Sequence, residues 1–333
     1  MSAPGSPKGE CRSAEHEASP ATGFVCALLE PIAAAALVAR VGLPAVVVGE
    51  VERAATGIAP LGPGYAGALS FCDAIDAHVR IAASASAIVI VAAGSGAQPR
   101  AEQTLIEVED PRAWFVRTVA VLLPGAGRPA APAPGIHPRA RVDPLAEVAP
   151  SAAIGDGVTI GPGTLVGPGA VIYAGSVIGA DCCIGPNAVI GWVGLAYHRD
   201  RTGRRLFFPH LATVRIGDAV DIGANACICR GMLSDTVIGD QAKIGSLVYV
   251  SHGVVIEELA WLSASCAVAG HSQLGANALI GIGAVVVDNV HMAPDTLVGG
   301  GSVVTRDARP GDKLFGVPAR HVPAIRRFGP TPR

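Results

Sequence analysis

From Val142 onward an aliphatic side chain recurs every six residues: Val142, Val148, Ile154, Ile160, Val166, Ile172, Ile178, Ile184 and Ile190. The spacing resumes at Ile216, Ile222 and Ile228. It then skips to Ile238 and runs through Ile244, Val250, Ile256, Leu262, Val268, Leu274, Ile280, Val286, Met292, Val298 and Val304. A period of six matches neither the 3.6 of a helix nor the 2 of a flat strand. It fits short strands joined by tight corners, each hexad sending one aliphatic side chain inside a coil. Three hexads per turn stack equivalent positions one strand spacing of about 4.8 Å apart. Glycine commonly follows the aliphatic residue and a small residue often stands four places after it, as in IGDGVT and IGPGTL. The glycines suit corners that need positive φ. The fold class is mainly β, a parallel β-helix with a small N-terminal α/β domain.

The organisation follows from where this period begins and ends. Residues 1–22 are polar, rich in Ser, Pro and Glu, and lack the apolar core of a signal peptide, so they read as a disordered tail. Residues 23–123 alternate helical stretches with β-branched runs such as 45–48 and 87–91, the pattern of a small α/β domain. Residues 124–138 are a Pro/Gly/Ala linker, 139–308 the β-helix, and 309–333 a C-terminal extension.

A chain of 333 residues with 50% hydrophobic and 16% charged content has the material for two cores, and its net charge of −2 gives no overall attraction to nucleic acid. Glu30, Pro31, Arg40 and Pro44 interrupt the one apolar segment that approaches the roughly 20 residues of a bilayer crossing. No integral membrane segment is expected, and a cytoplasmic location is. The eight cysteines have no metal-site spacing, so they read as small buried apolar side chains, with no metal.

The hexads, with the ending Leu314-Phe-Gly-Val-Pro-Ala-Arg320, resemble the left-handed β-helix (hexapeptide-repeat) acyltransferases. Within them the order of parts is most similar to the UDP-3-O-acylglucosamine N-acyltransferase family of lipid A biosynthesis. The matching stretches are Gly67-Ala-Leu-Ser-Phe71, Ala85-Ser-Ala-Ile-Val-Ile90, the segment from Leu105 to Phe115, Ile222-Gly-Ala-Asn-Ala226, Arg230-Gly231, Asp235-Thr-Val-Ile-Gly239 and Ser251-His252. The resemblance implies an acyltransferase working as a homotrimer, with sites between adjacent prisms and no permanently bound cofactor. Its donor would be an acyl-phosphopantetheine thioester, on acyl carrier protein or coenzyme A, and its acceptor an amino sugar or amine. It also implies His252 as catalytic base and Phe71 as the ring that stacks on uracil.

Physical chemistry adds to this. A neutral imidazole with a pKa near ~6.5 is suited to take a proton from an attacking amine. Gly270, eighteen residues on from His252, leaves space beside the ring and offers a backbone N–H to the oxyanion. The interruption at residues 192–211 carries Tyr197, Arg204 and Arg205, either as a solvated loop or as a flap whose arginines face phosphates. Arg230 is a further candidate contact to substrate. His271, next to Gly270, is kept as a substrate-side candidate and not as a catalyst. Two other readings stay open: a divergent relative that acylates another amine, and a non-catalytic β-helix scaffold.

Overall fold

The computed structural model describes residues 26–63 and 66–321, so the 1–22 tail and the end of the C-terminal extension lie outside the described residues. The chain forms two compact units. The first comprises the residues up to Arg128 together with Leu195–Ala212 and Met232–Ser234, and the second is the remainder.

The first unit is built on a mixed sheet of β1 (Cys26–Ala33), β2 (Val46–Val48), β3 (Ala54–Ile58), β4 (Ala68–Cys72), β5 (Ile88–Ala92) and β6 (Thr104–Val108), in the order β1-β3-β4-β5-β6-β2. β3 to β6 run parallel, while β1 and β2 close the edges antiparallel. Four consecutive fully buried residues, Ile88 to Val91, mark β5 as a central strand covered on both faces. The helices are α1 (Ala34–Val41), α2 (Ala77–Ala82) and α3 (Pro111–Leu122). α3 starts where Asp110 accepts the Ala113 N–H at 3.0 Å and Pro111 takes the first helical position, which needs no N–H. Its Trp114, Phe115 and Val119 join the core around Leu37, Leu69, Ile88 and Ile106.

The second unit is a parallel β-solenoid of three sheets with nine, eight and ten strands. Partners stand eighteen residues apart, as in Ile154↔Ile172 and Val250↔Val268, except across the insertions and at the last coil, where Val298 pairs with Leu314. Every aliphatic position from Ile154 to Val304 is at most 3% exposed, which makes one continuous axis. The small residues four places later, such as Ala170, Ala226 and Ala260, also point inward and are fully buried. At Thr164 that place holds a hydroxyl, which donates to the Gly179 carbonyl at 2.8 Å and accepts from the Cys182 N–H at 3.0 Å, whereas the Thr296 hydroxyl at the same place is buried without a partner among the described residues.

Several expectations need correction. Solenoid pairing begins at Gly135–Ile136, inside the stretch read as linker, and continues through Lys313–Phe315, beyond residue 308. Val142 and Val148 are only half-buried, because they lie near the end of the axis. Apart from Gly191, the glycines that follow the aliphatic residues do not have positive φ. A Cβ on Gly155 would come within 2.7 Å of the Ala174 backbone nitrogen, so these glycines let successive corners approach. The left-handed residue stands two places later, and besides glycine it is filled by Leu247, Leu259, Ser265 and Asn277, among others. Cys183 is exposed and Cys227 half-buried, because both fall on outward strand positions; Cys26, Cys72, Cys182, Cys229 and Cys266 are buried as expected. Residues 197–207 form an antiparallel two-stranded ribbon rather than an irregular loop.

Candidate active site

His252 stands two places after the inward Val250, on a corner that leaves the nine-stranded sheet. The register Ile228↔Val250↔Val268↔Val286 puts Arg230, His252, Gly270 and Asp288 in one column, each two places past its inward residue. Arg230 is thereby aligned one coil away from His252, and its N–H donates to the Trp192 carbonyl at 2.8 Å.

The imidazole is 9% exposed and enclosed on both nitrogens. Nδ1 lies 3.3 Å from Ser251 Oγ, and a Cβ on Gly194 would approach it to 2.6 Å. With Nδ1–H donating to the serine oxygen, the lone pair of Nε2 faces Gly270, where a Cβ would come within 2.7 Å. A side chain at Gly270 would collide with Nε2, so this approach of backbone to ring requires glycine.

His271 is exposed, as its corner place suggested, yet its ring meets His252 edge-on at a centroid distance of 5.2 Å. It sits in the left-handed conformation at φ 58 and packs where a Cβ on Gly253 would be, 2.6 Å from His271 Nδ1. Burial, reinforced by the neighbouring His271 and opposed by Asp288, pulls the His252 pKa down to about 4. The expected value near 6.5 is therefore corrected: the ring is neutral throughout the physiological range.

The Gly270 N–H, expected to serve an oxyanion, donates to Asp288 Oδ1 at 2.8 Å. The same cap recurs on the solenoid, with Asp218 accepting from Ala180 and Asp240 from Asp218. Asp288 and Gly194 were not singled out from sequence, and Ser251 only as part of the matching Ser251-His252. The hexad register alone would have found Asp288, two coils on from His252.

The other candidates lie in the first unit. Phe71 is half-buried in a cluster with Phe115 and Phe208, at ring centroid distances of 4.7 and 5.7 Å. The Arg112 guanidinium lies 5.7 Å from the Phe71 centroid and pairs with Asp73 at 2.8 Å, so the ring expected to stack on uracil already carries a cation. Tyr197, Arg204 and Arg205 are exposed on the ribbon. Among the described residues, no helix is long and apolar enough to cross a membrane.

The family model described as bacterial transferase hexapeptide (six repeats) matches residues 158–191. UDP-3-O-acylglucosamine N-acyltransferase of Delftia acidovorans is 42% identical over 264 residues, 78% of this chain and 78% of that protein. The protein of the same name from Albidiferax ferrireducens is 44% identical over 265 residues, 78% of this chain and 80% of its own. Among solved structures, the UDP-N-acetylglucosamine acyltransferase from Campylobacter jejuni superposes with a TM-score of 0.47 at 22% identity, over 56% of this chain and 74% of its own.

Proposed function

The chain belongs to the UDP-3-O-acylglucosamine N-acyltransferase family, and from that membership we propose that it moves an acyl group, in our reading a 3-hydroxyacyl group, from a phosphopantetheine thioester to the amine of a UDP-3-O-acyl-glucosamine. The observation that carries the reading is a buried, neutral imidazole whose Nε2 faces Gly270, where any side chain would collide with it.

In the first step the amine nitrogen attacks the thioester carbonyl carbon while Nε2 of His252 takes the amine proton. The carbonyl becomes a tetrahedral oxyanion. Collapse re-forms the carbonyl and breaks the carbon–sulfur bond, and the imidazolium returns its proton to the departing thiolate. The products are an amide and a free pantetheine thiol. The Gly270 N–H is the oxyanion donor in this scheme, which requires the thioester oxygen to displace the Asp288 carboxylate from it. Arg230, in the same column, and His271, against the His252 ring, are the residues assigned to substrate contact here.

Acyl carrier protein or coenzyme A supplies the donor, the cytoplasm is the compartment, and a homotrimer is the working form. The outward column of the nine-stranded sheet supports assembly, since Val171, Val189, Tyr249, Ala267, Val285 and Val303 present an apolar stripe.

His252→Ala tests the reading. Acyl transfer should fall by about 10²–10⁴-fold with the circular dichroism spectrum unchanged. Unaltered transfer would remove His252 as the base, and an absence of transfer in the parent protein would leave a non-catalytic solenoid. A second reading, acylation of a different amine, is favoured by the Arg112 guanidinium over Phe71. Uridine nucleotide binding that is lost in Phe71→Ala supports the nucleotide-sugar acceptor, and amine acylation without such binding supports the second reading.

A further inference from the structure

The ribbon formed by Tyr197–Arg199 and Arg205–Phe207 has two different faces. On one, His198 Nε2 lies 2.8 Å from Asp110 Oδ2. Asp200 fixes the turn: its Oδ1 accepts from the Thr202 N–H, the Thr202 hydroxyl and the Arg204 N–H, and its Oδ2 pairs with Arg117 at 3.2 Å. These bonds hold Asp200 well below its ordinary pKa, Thr202 contributing most. Arg201 is taken by Glu109.

The opposite face has no such partners. Tyr197 and Phe207 meet edge to face at 5.6 Å, and the next cross-strand pair on that face is Arg199 with Arg205. Like charges directly opposite each other on a ribbon repel. Arg128 adds a third cation, 4.3 Å over the Phe207 ring and 3.3 Å from Tyr197 Oη. Among the described residues, no ion pair involves Arg128, Arg199, Arg204 or Arg205. A pre-formed turn thus holds guanidinium groups together beside a half-exposed aromatic ring, with no paired anion among the described residues.

We propose that this face binds a nucleoside phosphate, with its base against Tyr197 and its phosphate between Arg199 and Arg205. Guanidinium forks match phosphate oxygens, and a phenol ring accepts a base of any sequence. Two substrates of the proposed reaction carry this chemistry, the uridine diphosphate of the acceptor and the adenosine 3′,5′-bisphosphate end of coenzyme A. To that extent the inference rests on the proposed function; it does not depend on the role of His252.

The test is calorimetric titration of the full-length protein with UDP, with adenosine 3′,5′-bisphosphate and with inorganic phosphate. One or both nucleotides should bind more tightly than phosphate. The double variant Arg199→Gln, Arg205→Gln should weaken that binding at least tenfold, with an unchanged melting temperature. Tyr197→Ala should weaken nucleotide but not phosphate. Arg201→Gln, whose guanidinium already has Glu109, should bind as the parent does. UDP preference assigns the face to the acceptor, and adenosine bisphosphate preference to the donor. No nucleotide binding, or equal binding by the double variant, overturns the proposal. His252→Ala should retain full binding, so a failed catalytic assignment and a failed ribbon site remain distinguishable.

Discussion

The Gly270 amide donates to Asp288 at 2.8 Å, and a Cβ on Gly270 would lie 2.7 Å from His252 Nε2 and 3.2 Å from Asp288 Oδ1. The one donor beside the base is therefore held by a carboxylate at the place where negative charge would develop on a thioester oxygen. A carboxylate there opposes that charge.

Asp288→Ala should accordingly maintain or raise kcat, because it releases the Gly270 N–H to the substrate. Loss of the corner cap should cost about 1–2 kcal/mol of stability, read from urea unfolding. A hundredfold drop in kcat with intact folding would instead make the carboxylate a participant in the reaction.

Gly270→Ala tests this approach of backbone to ring. The glycine is outside the left-handed region, so alanine is compatible with its backbone, and the added methyl acts on the imidazole. We expect at least a hundredfold loss of turnover with a melting temperature within a few degrees of the parent. Retained turnover would show that the thioester approaches His252 from another side.

His252 also links stability to pH. Its folded pKa of about 4 lies below the ordinary 6.5, so between these values the unfolded chain binds the proton and the folded chain does not. There is no penalty above pH 6.5. As the pH falls from 6.5 to 4 the fold should lose a few kcal/mol through this residue, roughly 1.4 kcal/mol for each pH step of one crossed. Urea titrations at pH 7 and pH 4.5 on the parent and on His252→Asn measure it. An equal pH dependence in both would place the titration elsewhere.

The kinetic counterpart concerns the acid limb of kcat/KM. Activity should stay level from neutral pH down to about 5 and fall only as the pH passes through about 4, where the base is protonated. A midpoint near 6.5 would mean that the ring is solvated in the working enzyme.

Much of the solenoid was legible because a coil has one inside, and a side chain that enters it has to be aliphatic at each sixth position. Even the break before Ile238 could be read, since Ile216↔Ile238 restores the register after the insertion. The glycines were only partly read, since corner glycines such as Gly157 and Gly163 do have positive φ while those after the aliphatic residues serve close approach. Composition shows that a Cβ is missing at Gly155 but not whether torsion or a neighbouring coil forbids it. Phe71 was recognisable as a ring, but α3, which carries Phe115 and Arg112, decides what lies against it.

The sequence by itself determined the period, and with it the aliphatic axis, the corners and the place of His252 just outside that axis. These follow from local repetition, in which each hexad repeats the same choice of inward side chain. Only the tertiary structure decided what surrounds that imidazole: the His271 ring, the Asp288 carboxylate on the Gly270 amide, and the burial that lowers its pKa. Those neighbours come from separate coils, and their electrostatic effect depends on distances in space that spacing along a chain does not specify.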